Sequence, residues 1–123
     1  MKKKVTPEEL VEITSKVLTE VENTYGFSNY QPSLPHIYLS GDDIDGTKGE
    51  YCFIINEITL YYTNINSMEE LIKTLIHEYQ HYLQSPSWFT RYYNMGYSYN
   101  DHPYEVQAYK EEEKWEKIWK KVS

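Results

Sequence analysis

Residues 67–86 read Ser67-Met68-Glu69-Glu70-Leu71-Ile72-Lys73-Thr74-Leu75-Ile76-His77-Glu78-Tyr79-Gln80-His81-Tyr82-Leu83-Gln84-Ser85-Pro86, and this stretch decides the fold. Ser67 followed three positions later by Glu70 marks a capping box, in which two side chains satisfy backbone N–H groups left unpaired at a helix start. Met68, Leu71, Ile72, Leu75, Tyr79, Tyr82 and Leu83 then recur at helical spacing until Pro86 stops the run. The spacing therefore predicts one well-defined helix. At about 100° per residue the apolar set gathers on one side, which places His77 and His81 nearly opposite, beside Glu70, Thr74 and Gln84. That polar face is free to line a cleft under another segment.

Upstream, Thr6, Pro7 and Glu9 read as N-cap, first-turn proline and capping-box glutamate of an earlier helix. Its stripe is Leu10, Ile13, Val17 and Val21, and it ends near Gly26. His36-Ile37-Tyr38-Leu39 is a short strand candidate, and Asp43-Ile44-Asp45-Gly46 is a solvated turn in a polar loop from Gly41 to Gly49. Tyr51 to Ile55 and Ile58 to Tyr62 are β-rich runs joined at Asn56-Glu57, so a small, mainly antiparallel sheet is expected. Downstream, a last helix should start at Pro103 and run toward Lys121, with Val106, Tyr109, Trp115, Ile118 and Trp119 packing inward. The charge run Lys110 to Glu116 reads as its wet face. Trp88, Phe89, Tyr92 and Tyr93 read as a satellite core in preference to a cleft lining.

The expected class is α+β in a single domain over residues 1–123: N-terminal helix, small sheet, central helix and C-terminal helix. The 14 tyrosines add to core-building capacity, provided each buried hydroxyl finds a partner. A formal charge of −7 with dispersed basic residues gives no basic face for phosphates, so nucleic acid is not an expected partner. Lys2, Lys3 and Lys4 are followed by Pro7, Glu8, Glu9 and Glu12, not by an apolar stretch, so neither a signal nor a membrane span is expected and the location is cytoplasmic by default. Cys52, the single cysteine, excludes a cysteine-based zinc cluster.

His77-Glu78-Tyr79-Gln80-His81 is the pattern HExxH. Residues four apart lie one above the other on a helix, so both imidazoles can reach one zinc ion while Glu78 projects beside it. Zinc with three protein ligands keeps a position for water and polarises a carbonyl, which is what amide hydrolysis needs, and Glu78 is placed to move the proton. The plain alternative is a pair of surface histidines. A third ligand must come from elsewhere, because the short-spaced version HExxHxxGxxH would need glycine and histidine where Gln84 and Ser87 stand. Asp101-His102-Pro103-Tyr104-Glu105 supplies it: Glu105, in the first turn of the last helix, is preferred, with His102 and Asp101 also chemically competent. Tyr109 and His102 are candidates for donating to a developing oxyanion.

His77, Glu78, His81, Glu105 and Ala108 together resemble the gluzincin branch of the zincin-like metallopeptidases, especially its minimal single-domain members in bacteria and phages. These carry HExxH on one helix and a ligand glutamate in ExxA on a following one. The resemblance implies a zincin-like fold, one Zn2+ per chain, a peptide or protein substrate, a monomer, and substrate pairing with an edge strand of the sheet, for which Ile58 to Thr63 is the candidate. Where related members carry an Asp about four residues past the ligand glutamate, this chain has Tyr109. The competing reading is a zinc-stabilised binding domain without turnover, and a third is a metal-free interaction module.

Overall fold

A computed structural model describes residues 7–87, 91, 94–96 and 101–123. The elements in chain order are α1 (Pro7–Tyr25), β1 (His36–Ser40), β2 (Gly49–Cys52), β3 (Glu57–Tyr61), α2 (Met68–Leu83), α3 (Pro103–Glu111) and α4 (Trp115–Val122). Thr6, Trp88, Phe89, Tyr92 and Tyr93 lie outside the described residues. The expected α1 stripe is the face that packs: Leu10, Val17 and Val21 are buried and Ile13 is partly so. Gly26 ends the helix at φ +77°, a conformation costly for any residue with a Cβ, and its N–H donates to the Glu22 carbonyl at 2.8 Å.

The class is α+β, as expected, but the sheet is mixed and not mainly antiparallel. Its order is β1-β3-β2, with β3 parallel to β1 and antiparallel to β2. The loop after β1 causes this. Residues 41–48 can span well over the ~10 Å of two strand spacings, so β2 lands one place away and β3 returns into the gap. The β2–β3 turn occupies Phe53 to Asn56, longer than the two-residue connection expected, with Asn56 at φ +50°. Ile58 to Thr63 is consequently no edge. β3 is the middle strand, Ile58 and Leu60 are fully buried, and among the described residues the edge strands are β1 and β2.

The core closes around α2. Ser67 caps it, its Oγ accepting from the Glu70 N–H at 3.1 Å, while Glu70 Oε1 accepts from the Asn66 N–H at 3.3 Å, an arrangement that stabilises a helix start by about 1 kcal/mol. Leu71, Ile72, Leu75, Ile76 and Tyr79 pack with Val17, Val21, Ile58, Leu60 and Ile118. Two of the buried tyrosine hydroxyls find partners: Tyr79 donates to the Gly26 carbonyl, and Tyr82 accepts from the Ser28 N–H, whereas the Tyr25 hydroxyl has no hydrogen-bond partner among the described residues. From Leu71 to Tyr82 every residue except Lys73 is buried, so the polar face of α2 is covered too.

α3 supplies that cover, and a 3-10 turn over Glu112–Lys114 leads from it into α4. The expected continuous helix is therefore two segments. Ile118 is buried and Trp115 and Trp119 pack partly against the core, but Val106 and Tyr109 are each 52% exposed and do not belong to it. α3 uses its inner face for Glu105 and Ala108, which turns Val106 outward, while Tyr109, one turn after Glu105, lies against His77 at the cleft and not in the core. Among the described residues no helix is long and apolar enough to cross a membrane.

Candidate metal centre

α3 is pinned at its start by His102, the N-cap, whose Nδ1 accepts from the Tyr104 N–H at 3.0 Å while its carbonyl accepts from the Glu105 N–H at 2.8 Å. This turn carries Glu105 into contact with the covered face of α2. His77 Nε2 lies 3.3 Å from Glu105 Oε2, and His81 Nε2 lies 2.5 Å from Glu105 Oε1. One ligand atom from each of the three residues falls within 4.8 Å of the others. Four ligands placed about 2.1 Å from a zinc ion are themselves about 3.4 Å apart, so small adjustments bring these atoms to a common centre. The donor chemistry fits. Glu105 is 1% exposed, yet its Oε1 has no hydrogen-bond partner among the described residues although His81 Nε2 lies 2.5 Å away. A buried carboxylate oxygen in that position needs a cation or a proton to offset its desolvation.

Each imidazole is held from behind. His77 Nδ1 lies 2.6 Å from Glu112 Oε2, and the Tyr109 ring meets it edge-on at 4.6 Å between centroids. His81 Nδ1 lies 2.8 Å from Gln84 Oε1, and the Tyr104 ring stacks on it at 3.9 Å with planes 8° apart. Partners on the second nitrogen fix which nitrogen faces a metal, and removing one commonly costs ten- to a hundredfold in affinity. Glu112 is the carboxylate behind His77. It stands seven residues after Glu105, two turns along the same face, inside the run expected to be solvated.

The charges are tightly balanced. Burial pushes the His77 imidazolium down, but hydrogen bonds to Glu105 and Glu112 and the charge of Glu78 outweigh it and raise its pKa to about 10. Burial pushes Glu105 up, and the two histidines more than reverse this, lowering it to about 2. Glu78 is raised to about 7, first by burial; the histidine charges pull it down, and Glu105 and Glu112 push it back.

A cleft of about 330 Å3 opens on this group, lined by Lys48, Gly49, Glu78, Tyr109 and Glu112 among others. Gly49 brings β2 against α2. A Cβ there would sit 2.6 Å from Thr74 Cγ2 and 3.3 Å from Glu78 Cγ, so only glycine allows this strand to touch the stem of Glu78.

No family model, curated protein or solved structure matches the chain. The residues themselves carry the argument. His77, His81 and Glu105 come together with Glu78 beside them, and Tyr109 lines the cleft. His102 is a helix cap, 1% exposed, and among the described residues neither it nor Asp101 belongs to the three-ligand group. Glu112, Gln84 and Gly49 were given no role by the sequence. Only the i, i+7 spacing of Glu105 and Glu112, and the place of Gln84 on the histidine face, hinted at the first two.

Proposed function

We propose that this chain is a zinc-dependent peptidase of zincin-like fold, with His77, His81 and Glu105 holding the metal and Glu78 as general base. The observation that carries the reading is the convergence of two imidazoles and a buried carboxylate, with a second carboxylate beside them at the floor of an open cleft. Zinc bound there would polarise a substrate carbonyl and make a water more acidic.

The side chains do the rest. Glu78, buried beside the candidate ligands and lining the cleft, takes a proton from the attacking water and delivers it to the leaving amine. Tyr109 is the preferred oxyanion donor: burial, then the carboxylates of Glu105, Glu112 and Glu78, raise its pKa, so the phenol keeps the proton it must donate. An extended peptide pairs with the outer edge of β2, the strand that reaches the cleft through Gly49, in place of β3.

The test is zinc content followed by turnover. About one zinc per chain is expected, retained in Glu78→Gln, while cleavage of a peptide library falls by about 10²- to 10⁴-fold. Equal cleavage by Glu78→Gln and wild type would end the hydrolytic reading. Zinc that raises the melting temperature while nothing is cut would establish the binding-domain reading instead.

A further inference from the structure

Behind His81 a line of side-chain amides leads away from the ligand group. Gln84 Nε2 donates to the Tyr104 carbonyl at 3.0 Å and to Gln107 Oε1, and Gln107 Nε2 donates to Gln80 Oε1 at 3.0 Å. The direction of the line is set at one point. A backbone carbonyl only accepts, so the Gln84 nitrogen must face Tyr104 and its oxygen must face His81. That oxygen also only accepts, so His81 Nδ1 carries a proton and Nε2 is left to bind a cation. The same logic runs outward to Gln80, whose Nε2 is buried and has no hydrogen-bond partner. Leaving such a group unmet costs about 1–3 kcal/mol, a cost accepted at the end of the line while its direction is kept.

We propose that Gln84 and, through it, Gln107 are positioning residues that hold His81 with Nε2 presented to the metal. The inference rests on the metal-binding part of the proposed function and not on hydrolysis. His77 is held independently by Glu112, so the two ligands can be perturbed one at a time.

The experiment measures zinc affinity by chelator competition and, in the zinc-loaded protein, solvent exchange of the two ring Nδ1 protons by NMR. Gln84→Met should weaken zinc binding by about ten- to a hundredfold and expose the His81 ring proton to exchange, with the His77 proton still protected. Gln107→Met should show the same pattern more weakly, because Tyr104 still orients Gln84. Gln107→Glu should return affinity toward wild type, since its carboxylate accepts from Gln84 and Gln80 can turn its unpartnered nitrogen inward to donate. Four results would overturn the proposal: unchanged affinity in Gln84→Met, equal loss of protection at both rings, equal losses in Gln107→Met and Gln107→Glu, or a wild-type chain that takes up no zinc. If affinity follows the expected pattern while Glu78→Gln cleaves normally, the relay stands and the peptidase reading falls.

Discussion

His77 and His81 are the same residue type, one turn apart on one helix, yet they are supported by different chemistry. His77 leans on a carboxylate, Glu112, and an edge-on tyrosine that is half in solvent; His81 leans on a neutral amide, Gln84, and a tyrosine stacked flat on its ring. The side nearer the cleft carries the charge. A carboxylate behind an imidazole raises its basicity, whereas an amide fixes the ring without adding charge. Buried beside Glu78 and Glu105, a second carboxylate partner at His81 would deepen the negative potential that already raises Glu78. For a metal held there, the asymmetry would separate a more basic ligand at one ring from a neutrally aligned one at the other.

The harshest way to break the comparison is to remove the residue both halves share. Glu105→Ala should lower zinc affinity by about a thousandfold, roughly one ligand's share of a binding free energy near 10–16 kcal/mol, and chelator competition reads this directly. Next comes the charged support alone. Glu112→Gln should cost about tenfold and leave exchange at the His81 ring unchanged.

Acidity sharpens the same contrast. In the metal-free protein His77 holds its proton up to about pH 10, so zinc must displace that proton at neutral pH. Affinity should therefore rise with pH, by about tenfold per unit for each proton released, until the folded pKa is passed. With Glu112→Gln one of the groups raising that pKa is weakened, so the rise should level off at lower pH; zinc competition across a pH series measures both curves. A different kind of effect, on packing, is expected at Gly49. Gly49→Ala should destabilise the fold by about 1–3 kcal/mol through overpacking and displace Glu78, and Thr74→Ser in the same chain, which removes the methyl 2.6 Å away, should recover part of the loss in thermal melting.

How far the sequence could be read depended on whether the information was local. Ser67, Glu70 and the apolar spacing define α2 within one stretch, and the HExxH geometry follows from helical pitch alone. Glu105 was legible because a proline-led helix start placed it in a first turn. Strand order was not legible, since the choice between inserting β3 and adding it outside depends on pairing between distant segments. Glu112 was nearly hidden for a different reason: in a run of charged residues the one that turns inward is decided by where α3 crosses α2, and the i, i+7 spacing from Glu105 is only a faint local trace of that. Gly49 resembled any other loop glycine until the approach of Thr74 and Glu78 gave it a task.

The enclosure of α2 on both faces has a consequence for how the molecule comes apart. One rod serves as the keel of the apolar interior and as the anchor for His77 and His81, two of the three candidate ligands, so an ion held there would be tied directly to the core. Loss of the ion would be felt as a softening of the entire body, and unfolding of the body would discharge the ion at the same moment, making the two events a single cooperative transition.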